Sequence, residues 1–126
     1  MIKKCAIHIA DDHQIIIDGI SAVINLEDDL EVIGTSNNGE ETIDWLKENH
    51  ADILLLDINM PICNGMEVLE QLKNIEDKPK VIVLTSYDDF KTIKDTLELG
   101  ADGFLPKKNA GRNVIKVVRS ILNEKD

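Results

Sequence analysis

The segment that most constrains the fold is Ile53–Leu56, four consecutive apolar residues that lead directly into an acid, Asp57. A short, continuously apolar run that ends at a polar residue is typical of a central strand in a parallel sheet, because helices cover both faces of such a strand. Parallel neighbours need a crossover connection, usually a helix, between consecutive strands. The segment therefore predicts an α/β protein in which strands and helices alternate.

The rest of the chain repeats this alternation. Further strands are predicted at Cys5–Ala10, Leu30–Gly34, Lys80–Leu84 and Gly103–Leu105. Apolar residues recur at helical spacing after each strand: Ile16, Ile20, Val23 and Ile24; Ile43 and Leu46; Val68, Leu69 and Leu72; Ile93, Thr96 and Leu97; Val114, Val117, Val118 and Ile121. Asn38 and either Asp88 or Asp89 are predicted N-caps, and Gly100 is a predicted helix stop. The pattern predicts a parallel sheet with helices on both faces.

The turn after the first predicted strand reads Ala10-Asp-Asp-His-Gln14 and contains no glycine. Doubly wound sheets commonly have either a Rossmann-like or a flavodoxin-like strand order. A Rossmann dinucleotide site needs a glycine-rich turn at this point, and a flavin phosphate would meet two negative charges there. We therefore expect neither cofactor, and we predict a flavodoxin-like doubly wound five-stranded parallel sheet of order 2-1-3-4-5 with five helices.

Length and charge exclude several classes of function. The chain has 126 residues, of which 43% are hydrophobic, as expected for one globular domain. Its net charge of −10 argues against direct binding to nucleic acid, whose phosphates are held mainly by Lys and Arg. No apolar run approaches the roughly 20 residues of a membrane span, and the N-terminus does not resemble a signal peptide. We expect a cytoplasmic domain without membrane contact, in which Cys5 and Cys63 are free.

Polar residues follow four of the predicted strands at their carboxyl ends. They are Asp11 and Asp12, then Asp57, then Thr85 and Ser86, and finally Lys107 and Lys108. Ligand sites of open parallel sheets lie beyond these ends. In the predicted order the first and third strands are neighbours, so the three carboxylates of Asp11, Asp12 and Asp57 are expected in one crevice.

Carboxylates placed this close together need a cation. Two of them about 4 Å apart repel by about 4 kcal/mol at an effective dielectric constant near 20. Mg²⁺ binds carboxylate, water and phosphate oxygens, and a lysine can offset the remaining negative charge. The hydroxyl of Thr85 can donate to an added phosphoryl oxygen. The set predicts phosphoryl transfer, which depends mainly on positioning and charge neutralisation.

At these residues the chain resembles the response-regulator receiver family. The matching motifs are Asp11-Asp12, Asp57-Ile-Asn-Met-Pro61-(x)₃-Gly65, Thr85-Ser86 and Gly103-Phe-Leu-Pro-Lys107, and the resemblance extends from about residue 4 to about residue 122. The chain is most similar to receivers joined to LuxR-type helix-turn-helix output domains. It departs from the common pattern at Lys108, because the family often has proline directly after the motif lysine, whereas here proline precedes it at Pro106.

The resemblance implies a role for each acid. Asp57 would be the phosphoacceptor, which attacks the phosphorus of a phosphohistidine on a partner kinase or of a small phosphodonor. Asp12 and Asp57 would ligate Mg²⁺ directly. Asp11 would act through water, and the backbone carbonyl of Asn59 would complete the protein ligands.

The resemblance also implies a switch and its partners. Thr85 and Lys107 would hold the phosphoryl oxygens, and Phe104 would rotate in response to Thr85. Residues 1–126 would form one receiver domain, the N-terminal regulatory part of a longer protein. A sensor histidine kinase would phosphorylate it, and a C-terminal DNA-binding output domain would respond, so the receiver itself would be a switch and not a turnover enzyme.

Several polar and aromatic residues have an ordinary structural or surface role as an alternative to a functional one. His13 adjoins the acid pair, but Mg²⁺ prefers oxygen, so we expect a surface residue at a helix start. His8, His50 and Trp45 are expected to be structural. We expect Lys108 to lie at the surface and Lys107 to be the functional member of the pair.

Two other functional classes are less consistent with the residues. An aspartyl phosphohydrolase of the haloacid-dehalogenase type needs a second acid two residues after the nucleophile, and this chain has Asn59 there. A degenerate receiver would have lost Asp57, an acid of the pair or Lys107, and none is lost.

The last predicted helix suggests a weak homodimer that phosphorylation strengthens. Ile115 and Leu122 lie off its main apolar stripe, where they either widen the buried face or form an interface. Basic residues flank them, and the fourth helix carries acids, which together could form a symmetric contact: Lys108, Arg112, Lys116 and Arg119; Asp88, Asp89, Asp95 and Glu98.

Overall fold

The computed structural model describes residues 4–85 and 90–123. Its strands are β1 (Cys5–Ala10), β2 (Leu30–Ser36), β3 (Ile53–Asp57), β4 (Lys80–Thr85) and β5 (Gly103–Pro106). Its helices are α1 (Gln14–Ile24), α2 (Gly39–Glu48), α3 (Gly65–Leu72), α4 (Phe90–Glu98) and α5 (Ala110–Asn123). All strand pairs are parallel, in the order β2-β1-β3-β4-β5. The predicted flavodoxin-like fold is confirmed.

Strand β3 separates two hydrophobic cores. Ile53 and Leu55 belong to the core that also contains the buried faces of α1 and α5. Leu54 and Leu56 belong to the core of α2 and α3 on the other face of the sheet. Because successive side chains of a strand point to opposite faces, the uninterrupted apolar run is what a strand buried on both sides requires.

Two helix termini follow the signals in the sequence. Asn38 caps α2 by accepting a hydrogen bond of 2.8 Å from the backbone N–H of Glu41. Gly100 follows α4 with φ of +110°, a conformation that glycine adopts without steric cost. The predicted caps Asp88 and Asp89 lie outside the described residues.

Several predicted details are corrected. Strand β2 continues to Ser36 and β5 to Pro106. Leu97, predicted to point inward, is 44% exposed, and Thr96 is the only fully buried residue among those described in α4. An amphipathic stripe shows which residues can face a core, but it does not show how much of that face the fold covers.

Two aspartates stabilise the amino-terminal edge of the sheet in the same manner. Asp52, which precedes β3, accepts a hydrogen bond of 2.8 Å from the backbone N–H of Ala6 in β1. Asp102, which precedes β5, accepts one of 2.8 Å from the backbone N–H of Val81 in β4. Each carboxylate thereby binds an amide near the start of the neighbouring strand.

The residues predicted to be structural are placed as expected. His8 is fully buried, and its ring lies 4.3 Å from the ring of Trp45. His8 Nε2 and Ser36 Oγ are hydrogen-bonded at 2.5 Å. Cys5 and Cys63 are free cysteines. No helix within residues 4–85 and 90–123 is both long and apolar enough to span a membrane.

Ile62, in the loop between β3 and α3, has an unfavourable backbone conformation. Its φ is +69°, a region that β-branched residues rarely adopt. The backbone N–H of Cys63 donates to the carbonyl of Pro61 at 2.7 Å, which closes a tight turn around Ile62. The side chain of Ile62 is 74% exposed, so packing does not compensate for the conformation.

Candidate functional site: an acidic pocket at the carboxyl edge of the sheet

Parallel pairing brings the predicted site residues to one edge. Ala10 pairs with Leu56, so Asp11 and Asp57 follow at the same level on neighbouring strands. The backbone N–H of Asp11 donates to the carbonyl of Ser36 at 3.0 Å, and that of Lys107 donates to the carbonyl of Thr85 at 2.7 Å. The sheet thus fixes the backbone of each residue before its side chain enters the pocket.

Asp57 lies at the floor of the pocket. Its side chain is 2% exposed, and its Oδ1 accepts a hydrogen bond of 3.2 Å from the backbone N–H of Asn59. Gly65 passes directly behind it, since a Cβ at this position would lie 2.6 Å from the backbone oxygen of Asp57. A larger residue at position 65 would therefore displace the chain that carries the carboxylate.

Lys107 is the cation that the pocket already contains. Its Nζ lies 3.0 Å from Asp57 Oδ2 and 3.1 Å from Asp11 Oδ2, and it donates to Asp11 Oδ1 at 3.3 Å. Burial disfavours its charge, but the contacts with Asp57 and Asp11 more than offset this and raise the pKa of Lys107. Lys108 is exposed, as predicted for the second lysine.

One lysine does not neutralise the pocket. Burial, together with the charge of Asp11, raises the pKa of Asp57 from 3.8 to about 6, even though contact with Lys107 lowers it. Asp11 Oδ2 and Asp57 Oδ2 are both buried and receive no hydrogen bond of good geometry. Both oxygens share the one ammonium group of Lys107 at 3.0 to 3.1 Å. A carboxylate oxygen accepts more than one contact, so each retains a lone pair for a further cation.

The donor set fits Mg²⁺. One ligand atom from each of Asp11, Asp12, His13 and Asp57 lies within 4.8 Å of the others. The side chain of Asp12 is 30% exposed, so a cation bound there would also reach solvent. Mg²⁺ usually binds one or two carboxylates and retains several waters, which this half-open arrangement permits.

The predicted switch residues lie at the side of the pocket. Thr85 ends β4 and is 7% exposed, whereas Phe104, on the neighbouring strand β5, is 43% exposed. Phe104 and Val117 line one open cavity of about 440 Å³ between β5 and α5. Ser86 lies outside the described residues.

Two residues contribute more to the pocket than the sequence indicated. The amide of Asn37 donates to the backbone carbonyl of Asp11 at 3.2 Å, a contact between distant loops that no local pattern reports. His13 is a helix-start surface residue as predicted, with a side chain 61% exposed. Its ring nitrogen Nδ1 nevertheless lies 3.1 Å from Asp12 Oδ1, and its position next to the acid pair was the available signal.

Fold and pocket together define a doubly wound α/β protein with a buried aspartate in an acidic pocket. The family model for the response regulator receiver domain matches residues 7–119. The chain therefore belongs to the response regulator receiver family. Membership identifies it as a phosphorelay signalling domain of two-component systems, a class that functions by Mg²⁺-dependent phosphoryl transfer.

Curated relatives are transcriptional regulators of greater length. The transcriptional regulatory protein LnrK of Bacillus subtilis (strain 168) is 36% identical over 113 residues, which are 90% of this chain and 51% of the relative. DesR of the same organism is 32% identical over 120 residues, 95% of this chain and 59% of the relative. The chain thus spans about half the length of the curated relatives that it matches.

Solved structures agree on the fold. The non-phosphorylated receiver domain of the stress response regulator RcsB from Escherichia coli has a TM-score of 0.90 at 24% identity, over 98% of this chain and 97% of that one. The receiver domain of the response regulator NarL from Mycobacterium tuberculosis has a TM-score of 0.87 at 25% identity, over 94% and 95%. This similarity supports the fold and adds no residue roles.

Proposed function

We propose that this receiver accepts a phosphoryl group on Asp57 from a sensor histidine kinase and transmits the change to an output domain. The observation that supports this best is the environment of Asp57. Its carboxylate is buried, lies 3.0 Å from Lys107 Nζ, and belongs to the cluster with Asp11 and Asp12. A structural aspartate would have its oxygens fully hydrogen-bonded, whereas Asp57 Oδ2 has the ion pair with Lys107 but no hydrogen bond of good geometry.

In the proposed reaction a carboxylate oxygen of Asp57 attacks the phosphorus of the donor. The new O–P bond forms as the P–N bond to the kinase histidine breaks, and the leaving imidazole takes a proton from solvent. Lys107 Nζ and the hydroxyl of Thr85 bind the transferred oxygens. Because Lys107 is already held in the pocket at 11% exposure, little reorganisation is needed as charge develops.

Mg²⁺ is the proposed cofactor, and when bound it neutralises charge on the transferring oxygens. Asp12 and Asp57 would be direct ligands. Asp11 would act through water, in keeping with its contacts to Lys107 and to the backbone N–H of His13, and the carbonyl of Asn59 would complete the protein ligands.

Thr85 and Phe104 form the proposed switch. A phosphoryl group on Asp57 would draw the hydroxyl of Thr85 inward and vacate space for the ring of Phe104. The ring is 43% exposed, so moving it inward removes apolar surface from water, which favours the change. The helix next to this path, α4, has one fully buried residue among those described, which lowers the cost of moving it.

The proposed biological setting follows from the relatives. Since they are transcriptional regulators about twice as long, we propose that residues 1–126 are the N-terminal regulatory domain of a cytoplasmic protein with a C-terminal DNA-binding domain. At a net charge of −10, the receiver itself would not bind nucleic acid. It would act as a stoichiometric switch and not as a turnover enzyme.

Phosphorylation-dependent dimerisation remains part of the proposal, but with different contacts. Ile115 and Leu122 pack against the core on the α1 side, so they widen the buried face of α5. Arg119 is bound to Glu27 and Asp29 at 2.8 and 2.9 Å. The acids of α4 pair within their own helix, Asp95 with Lys91 and Glu98 with Lys94. Val117 packs against the same core. The large apolar side chains that these elements expose are Phe90 and Leu97 of α4 and Phe104 of β5.

Sedimentation with and without beryllofluoride tests this surface. Leu97→Glu should weaken any beryllofluoride-induced dimer, whereas Ile33→Glu, at a similarly exposed position on the β2 edge, should not. A monomer at all accessible concentrations would contradict the dimer and leave the phosphorylation proposal intact.

The decisive experiment for the proposed function is phosphorylation by acetyl phosphate with Mg²⁺, followed by intact-mass analysis. The wild type should gain one phosphoryl group, and Asp57→Asn should gain none. Asp44→Asn is the matched control, because Asp44 is an exposed aspartate of α2 outside the pocket. Labelling that persists in Asp57→Asn, or is lost in Asp44→Asn without unfolding, would reject the assignment.

A further inference from the structure

The imidazole of His13 faces the acidic pocket. Nδ1 lies 3.2 Å from Asp11 Oδ1, 3.1 Å from Asp12 Oδ1 and 3.5 Å from Lys107 Nζ. The ring makes no cap hydrogen bond to α1, although His13 occupies the N-cap position. It is therefore turned back onto the acids and is not used by its own helix.

We propose that His13 is a metal ligand through Nδ1, and that it makes this pocket a site for borderline transition-metal ions such as Co²⁺, Ni²⁺ or Zn²⁺ in addition to Mg²⁺. This inference rests on the proposed function, because it concerns the same pocket. It assigns to His13 the selection among divalent ions.

Geometry supports a shared ion. The lone pair of a neutral imidazole nitrogen points in the direction in which its N–H would point. Here that direction meets Asp11 Oδ1, and Asp12 Oδ1 lies 3.1 Å from the same nitrogen. Ligand atoms of an octahedral ion with bonds of about 2.1 Å lie about 3 to 4 Å apart. The atoms of Asp11, Asp12, His13 and Asp57 lie within 4.8 Å of one another, so small side-chain movements would let Asp12, His13 and Asp57 bind one ion, with Asp11 reached through water.

A second observation indicates that the pocket lacks a ligand. Asp11 Oδ2 and Asp57 Oδ2 are buried and make no hydrogen bond of good geometry, although the single ammonium of Lys107 lies 3.0 to 3.1 Å from both. These oxygens alone would suit a hard cation, but imidazole suits zinc, copper, iron and nickel, which oxygen-only sites bind less selectively. Occupancy of the pocket would then depend on the ratio of transition metal to Mg²⁺.

The test is calorimetric titration of the intact chain with Co²⁺ alone and with Mg²⁺ alone. Loss of an outer-shell partner typically lowers metal affinity about 10- to 100-fold, so loss of a direct ligand in His13→Gln should lower Co²⁺ affinity by at least ten-fold. Mg²⁺ affinity should stay within about two-fold, because the exposed glutamine amide removes no oxygen ligand. In nuclear magnetic resonance, Co²⁺ should produce a strongly shifted imidazole signal that His13→Gln abolishes.

His50→Gln is the matched control. His50 is also half-exposed and lies near two carboxylates, 3.0 Å from Asp52 and 3.2 Å from Asp77, but through opposite ring nitrogens. It therefore cannot bring both acids to one ion, and Co²⁺ affinity should not change.

The role of His13 is overturned if His13→Gln loses Co²⁺ and Mg²⁺ affinity equally, or loses neither. In that case Mg²⁺ binding by the wild type still leaves the proposed function standing. A wild type that binds neither ion overturns both proposals.

Discussion

Lowering the pH below 6.5 should destabilise the fold through His8, the buried imidazole of β1. The ring is fully buried against Trp45, and its Nδ1 has no hydrogen-bond partner. Burial lowers the pKa of His8 from 6.5 to about 4, because a buried imidazolium would lose its hydration.

The sign follows from comparing the two states. In the unfolded chain His8 binds a proton below pH 6.5, whereas in the folded protein it stays neutral until about pH 4. The contribution to stability is fully present above pH 6.5 and is lost as the pH falls through this window. At about 1.4 kcal/mol per pH unit, the free energy of unfolding should fall by about 3 kcal/mol between pH 6.5 and the folded-state pKa of about 4.

Asp57 opposes this effect in the metal-free protein. Its pKa is raised to about 6, so the folded state takes up a proton before the unfolded state does, and stability increases as the pH falls from about 6 towards 3.8. The two contributions partly cancel in the wild type. The contribution of His8 should therefore be measured in an Asp57→Asn background.

The assay is urea unfolding followed by far-ultraviolet circular dichroism from pH 7.5 to 4, with chelator present. As the pH falls from 6.5 to about 4, the free energy of unfolding of Asp57→Asn should decrease by about 3 kcal/mol more than that of Asp57→Asn/His8→Gln. Adding His50→Gln to the Asp57→Asn background is the control, since His50 is half-exposed and should change the pH dependence little. Parallel curves with and without His8, or an ordinary pKa for His8 by nuclear magnetic resonance, would refute the reasoning.

Three further outcomes are expected. Asp12→Ala should weaken Mg²⁺ binding in calorimetry without reducing metal-free stability, because it removes a like charge; unchanged affinity would contradict its role as a ligand. Lys107→Ala should lower the free energy of unfolding by about 3 kcal/mol or more at pH 7.5, against about 1 kcal/mol or less for the exposed Lys80→Ala; equal losses in urea unfolding would contradict the buried pairing. Ile62→Asn should raise thermal stability by about 1 kcal/mol through relief of the positive φ, while Ile15→Asn, at an equally exposed helical position, should give no gain.

The sheet was predictable because its signals are local and repeated. Ile53–Leu56 could be buried on both faces only in a central parallel strand, and the bounds of β1 were predicted without error. The convergence of Asp11 and Asp57 followed from strand order alone, since parallel neighbours end at the same edge. Their proximity to Lys107 was likewise expected, and it is observed at 3.0 and 3.1 Å.

What the sequence did not predict depends on contacts between distant segments. Arg119 was assigned to a possible interface, but it pairs with Glu27 and Asp29, about 90 positions away in sequence. Leu97 matched a helical stripe, but its side chain is 44% exposed. The orientation of the His13 ring depends on a backbone turn and on side-chain torsions, which no residue pattern encodes.

The paired aspartates at the opposite edge of the sheet have a consequence for the pocket. Asp52 binds the amide of Ala6, and Asp102 binds the amide of Val81. These two hydrogen bonds fix the register of β1 against β3 and of β4 against β5. A slip of one residue would break such a bond and shift one strand by about 3.3 Å along its neighbour. A slip of β1 against β3 would separate Asp57 from Asp11, and a slip of β4 against β5 would separate Lys107 from Thr85. Carboxylates a full strand length away therefore keep the residues of the pocket in register.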